Sequence, residues 1–142
     1  MAQTAPKLAK AIADADAPAQ LVHVGLHNPT PQTLHCILAV FFHVSDDFSN
    51  QSRLVEEGIF KFLTSEWYKQ PTTREDTVKL ACGVFIKFFS NVRNSQAISE
   101  FEKEIQEFID YNNEHRPALK QLCVAIQVSI NFLFFFIILY YN

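Results

Sequence analysis

At 142 residues, 49% of them hydrophobic and 14 of them Phe, the chain has the size of one domain and enough apolar surface for a real core. Three Gly and six Pro are too few for a turn-dense β fold, and a net charge of -3 offers no basic face of the kind nucleic acid demands. Cys36, Cys82 and Cys123 are widely spaced with no C-x-x-C, which argues against a disulfide framework or zinc site and fits reduced, buried thiols in the cytosol or nucleus.

In chain order, residues 1–17 are Ala-rich and read as an N-terminal helix without the apolar core of a signal peptide. A short helical pattern, "PAQLVHVGLH", leads to the breaker "HNPTP" and then to the long pattern "PQTLHCILAVFFHV". The polar piece "SDDFSNQS" is expected to stop that helix. Next come "GIFKFLTSEWY", the breaker "KQPTTR" and the long pattern "EDTVKLACGVFIKFFSNV". "RNSQ" separates this from "FEKEIQEFIDY", and "NNEHRP" introduces "PALKQLCVAIQVSI". No run alternates with a period of two, so no strand is predicted.

Short helix, turn, long helix, turn recurs, and residue matches support a repeat. The cysteines of "LHC", "LAC" and "QLC" give one register. Another pairs His35, Ala39 and His43 with Lys79, Gly83 and Lys87, and these with Gln121, Ala125 and Ser129. "GIFKFL" aligns with "EIQEFI", bringing Ile59 onto Ile105, Phe62 onto Phe108 and Leu63 onto Ile109. The registers differ by a few residues, but a period in the forties is that of a two- or three-helix solenoid unit.

On these residues the chain resembles an armadillo-type repeat array over 18–130, about two and a half units followed by a hydrophobic tail at 131–142. "RLVEEGIFKFL" resembles the junction of a first and second helix, with Gly58 at the bend. "LACGVFIKFFSNV" resembles a third helix, and "NPTPQTLHCILAVFFHV" the loop and third helix of the unit before. Glu104 departs from the pattern where a second Gly is expected, as do His43 or Ser45 where an Asn is expected. An all-α solenoid of this kind is therefore the expected fold, with a HEAT-like array or an irregular helical bundle as alternatives. The resemblance implies a concave groove lined by third helices that binds an extended peptide or protein, and no catalysis.

On the helix over 75–92, Lys79, Gly83, Lys87 and Asn91 form a stripe four residues apart opposite a broad apolar face. If the stripe faces a groove, Lys79 and Lys87 favour acidic ligands and Asn91 can pair with a peptide backbone. His35 and His43, flanking Ala39, form the matching stripe on the preceding long helix. These five residues, Lys79, Lys87, Asn91, His35 and His43, are the candidate partner-binding set, against the plainer reading of solvated or packed helix faces.

His23 and His27 stand at i, i+4, a usable metal spacing, but nothing on that helix completes a ligand set, so no metal or cofactor is expected. The chain carries no G-x-S-x-G, phosphate-cradling Gly-rich loop or H-E-x-x-H, and an enzyme is not expected. The last twelve residues, "NFLFFFIILYYN", admit three readings: a short tail anchor to an intracellular membrane, an over-apolar packed helix, or the broken end of a longer array.

Overall fold

A computed structural model describes residues 14–141 together with Lys7, Leu8, Lys10 and Ala11, so the helix expected over 1–17 falls largely outside the described residues. Among these the protein is all-helical. The α-helices described over 17–141 are α1 (Ala17–Leu26), α2 (Pro31–Val44), α3 (Phe48–Glu56), α4 (Ile59–Leu63), α5 (Glu75–Phe89), α6 (Ser95–Glu100), α7 (Glu102–His115) and α8 (Lys120–Tyr141). Single 3-10 turns at Glu66–Lys69, Val92–Asn94 and Pro117–Leu119 lead into or out of them.

The long helices pack side by side in chain order, α2 on α5 and α5 on α8, with α7 against α8 and α1 against α4. Local chemistry sets the ends. Thr30 caps α2 by accepting from Thr33 N, and Pro31 occupies the first turn, where its missing N–H costs nothing. Asn28, at φ 53, supplies the left-handed turn between α1 and α2. Gly58, at φ 92, makes the bend from α3 into α4 that the sequence assigned to it.

Three boundaries depart from expectation. "SNQS" lies inside α3, because Asp47 caps that helix and the side chains of Asn50 and Gln51 are buried with hydrogen bonds of their own. Polarity there marks a satisfied interior. The pattern "GIFKFLTSEWY" is divided: α4 ends at Leu63, Thr64 and Ser65 donate back to the carbonyls of Phe60 and Phe62, and Trp67 and Tyr68 follow in a 3-10 turn. Finally, the last repeat-like helix and the hydrophobic tail are one continuous α8.

The core is aromatic. Phe85 and Tyr68 each stand 4.9 Å from Phe108, and Phe60 stands 5.3 Å edge-on from Phe88. Burying each such ring stabilises the fold by roughly 1.5–3 kcal/mol before the entropy of ordering it. The aligned residues Ile59, Phe62 and Leu63 of α4, and Ile105, Phe108 and Ile109 of α7, are all buried in this core.

A candidate interaction face and the junctions that build it

The exposed residues of α2 are Pro31, Gln32, Thr33, Cys36 and His43, and those of α5 are Glu75, Asp76 and Lys79, with Ser90 exposed at its C-terminal cap. α2 and α5 pack against each other, and the exposed residues flanking that contact are the candidate surface. Lys79 and His43 are its exposed charged or titratable members among the candidate binding set.

The other three candidates are engaged within the protein. Lys87 is held by α2: its ammonium donates to the carbonyl of Phe42, pairs with Asp46, and lies 3.3 Å from the centroid of the Phe42 ring. Gly83 explains how the ring fits, since a Cβ there would stand 2.5 Å from Phe42 Cε2. His35 Nδ1 and Thr77 Oγ1 share a hydrogen bond of 2.9 Å, tying α2 to the first turns of α5. Asn91 is buried, and its amide donates to Gln51 Oε1 at 3.1 Å. The stripe read as facing a groove thus turns toward α2 at Gly83 and Lys87, while Asn91, past the end of α5 at Phe89, turns inward to Gln51 of α3. Helical spacing drifts against a strict four-residue row, so only Lys79 reaches the open side.

Asn91 belongs to a polar junction that occurs twice. After α2, Asp47 accepts from Ser49 N at 2.9 Å and Asn50 donates to the carbonyl of Val44 at 3.1 Å. After α5, Asn91 accepts from Arg93 N at 3.2 Å and Asn94 donates to the carbonyl of Phe88 at 3.0 Å. Each member of the second set lies 44 positions after its counterpart in the first. Gln51 joins the two. Its amide donates to the carbonyls of Ser45 (2.9 Å) and Lys87 (3.4 Å), and its Oε1 accepts from Asn91 and Asn94. Every buried polar group in this set is paired, which makes it a rigid clamp between successive long helices.

Gln51 drew no attention in the sequence, yet a signal existed: "DFSN" and "NVRN" share an acid-or-amide, an apolar residue and a closing Asn at a shift of 44. In this register Asp47 is the counterpart of Asn91, rather than His43 or Ser45. The cysteines mislead at their first member. Cys36 is exposed, whereas Cys82 and Cys123 are buried between α5 and α8. Burial pushes the Cys82 thiol up to about 12, with Cys123 adding to the effect, and burial raises Cys123 as well.

Elsewhere, His27 Nδ1–H donates to the carbonyl of His23 at 2.6 Å. Among the described residues no group of three or more His, Cys, Asp or Glu side chains converges as a metal site. At the C-terminal end of α5, a cleft of about 660 Å³ lies between Phe48, residues 89–93 and Val128, Phe132 and Phe136 of α8. The segment Pro117–Tyr140 is long and apolar enough to cross a membrane, with 22% of its most apolar stretch buried inside the protein. The chain matches no family model, no curated protein and no solved structure.

Proposed function

We propose that the protein is a non-catalytic interaction scaffold of armadillo-like repeats, acting in the cytoplasm on an extended peptide or protein partner. The observation that carries this reading is the junction that recurs at 44 positions, with the same caps and the same amide-to-carbonyl hydrogen bonds, between long helices packed in chain order. A repeated junction of this kind supports a stacked array, and stacked units leave a continuous open surface for binding.

Lys79 and His43 carry the recognition on that surface, and the ammonium of Lys79 selects acidic peptides. Lys87, Asn91 and His35 support the face by holding α2 and α5 in register. Selection from a random peptide library against the purified chain tests the reading. It should enrich acidic peptides whose binding is lost with Lys79→Glu while helicity stays unchanged. Enrichment unaffected by Lys79→Glu, or no enrichment of any class, would remove the groove.

A further inference from the structure

The cleft at the C-terminal end of α5 follows the repeat. The 44-position shift that sets Asp47 on Asn91 also sets Phe48 on Val92, and a second step of 44 reaches Phe136 of α8. All three residues line the cleft. Its wall is thus a ladder of equivalent positions, one apolar rung from each of three successive stretches of chain. Packed helices stand about 8–10 Å apart, so the rungs mark out a path of roughly 16–20 Å. The floor is deep as well as apolar. Phe89 is 3% exposed and Leu133 5% exposed, yet both belong to the lining.

One charge meets this path. Arg93 is exposed and, among the described residues, is the single charged side chain of the lining. Its backbone N–H bonds Asn91, while its guanidinium has no ion-pair or hydrogen-bond partner among the described residues. Two of the other polar lining residues are already engaged. Ser90 Oγ donates to the carbonyl of Ile86 at 2.9 Å, and the Asn91 amide donates to Gln51. That leaves the hydroxyl of Ser129.

We propose that the cleft holds one free single-chain carboxylate, a fatty acid whose chain lies along Phe48, Val92 and Phe136 and whose head group sits on Arg93. At about 1.3 Å of reach per carbon in a staggered chain of ~1.5 Å bonds, the path takes about 12–15 carbons. The guanidinium offers paired N–H donors that match a carboxylate, and at the exposed rim neither charge is stripped of water. A volume of about 660 Å³ falls within the ~300–1,000 Å³ of small-molecule sites, which join apolar walls to a few orienting polar groups. An extended peptide carries a carbonyl and an N–H every ~3.3 Å and would bury them here against one hydroxyl, whereas hydrocarbon needs no partner. A slender chain reaches the floor at Phe89 and Leu133, which a planar bilayer resting on the exposed rings of Phe48 and Phe132 does not. A second copy of α8 brings Arg93 no carboxylate, since Lys120–Tyr141 contains no acidic residue. Lys79 lies ten residues before Phe89 and about 15 Å away along α5, so this site is separate from the proposed peptide face.

Calorimetric titration of the purified full chain with dodecanoate, below the concentration at which it forms micelles, tests the proposal. One equivalent per chain should bind, and octanoate should bind more weakly by on the order of 100-fold. Arg93→Gln should weaken dodecanoate by on the order of 10- to 100-fold, with helicity retained because the side chain is exposed. The same variant should leave dodecanol, which has the chain without the charge, unchanged. Lys79→Glu should leave both affinities in place, so the result stands apart from the peptide face. No binding, several equivalents per chain, or an Arg93→Gln effect that is absent or equal for acid and alcohol overturns the site. If the chain takes up no dodecanoate, flotation with phosphatidylcholine vesicles would assign the apolar wall to a bilayer, and sedimentation as a dimer would assign it to a second copy.

Discussion

The side-chain amide of Asn94 donates to Gln51 Oε1 at 2.8 Å, joining the start of α6 to the middle of α3 across 43 positions. Through that one oxygen and the amide on the same side chain, Gln51 ties together both ends of a repeated junction. This one buried side chain therefore joins the Lys87–Phe42 and His35–Thr77 contacts in holding the spacing between α2 and α5.

Gln51→Leu should be among the more destabilising polar substitutions. It fills the volume but leaves the Asn91 and Asn94 amides and the Ser45 carbonyl without this partner. The expected loss is about 2–3 kcal/mol, read as a lower urea midpoint with an unchanged slope. Ser52→Ala, at the exposed neighbouring position, should leave the midpoint in place.

Gly25→Ala should destabilise although Ala is the better helix former. A Cβ at Gly25 would meet Phe62 Cε1 at 2.5 Å and Cδ1 at 2.7 Å, and Phe62 is fully buried with nowhere to move. Overpacking of this kind costs about 1–3 kcal/mol. The double substitution with Phe62→Leu should recover part of the loss, measured as a thermodynamic cycle by thermal unfolding.

Gly58→Ala tests the bend between α3 and α4. At φ 92 the backbone is left-handed, and space is ample, since the nearest atom to an added Cβ is Val22 Cγ1 at 3.8 Å. The expected cost of about 1–2 kcal/mol is therefore conformational. Gly58→Asn should cost less than Gly58→Ala, and equal losses would locate the effect in packing instead.

The thiols should divide cleanly in alkylation at pH 8. Cys36, exposed on α2, reacts first. Cys82 and Cys123 react only on unfolding, because burial both shields them and holds them protonated. Mass spectrometry of labelled peptides counts them directly. Labelling of all three at equal rates in buffer without denaturant contradicts the burial between α5 and α8.

Alkaline pH should lower the stability of the fold through Tyr68. Burial pushes its phenol up to about 12, above the ordinary value of 10.0. The unfolded chain releases this proton first, so stability is intact below about pH 10 and falls as the pH rises toward 12. Urea midpoints across that range check the direction, and Tyr68→Phe should flatten the dependence.

Much of the helical order was legible in the sequence because it rests on local chemistry. Prolines and caps at Thr30–Pro31, the glycine at 58 and apolar spacing along α2, α5 and α7 each act within a turn or two of the chain. Ile59, Phe62 and Leu63 could be aligned with Ile105, Phe108 and Ile109 because burial of one helix face imposes its period on the residues themselves. Tertiary structure alone decided which way each stripe turns. Lys87 and Asn91 have the polarity of surface residues, but α2, the turn after it and α3 bring the Phe42 carbonyl, Asp46 and Gln51 to them from 40 or more positions away. Partners at that separation leave no periodic trace. Along α8, apolar spacing alone could not tell which of its two faces is covered. The packing of α5 and α7 against Cys123, Ile126 and Ile130 covers one and leaves Val128, Phe132 and Phe135 open.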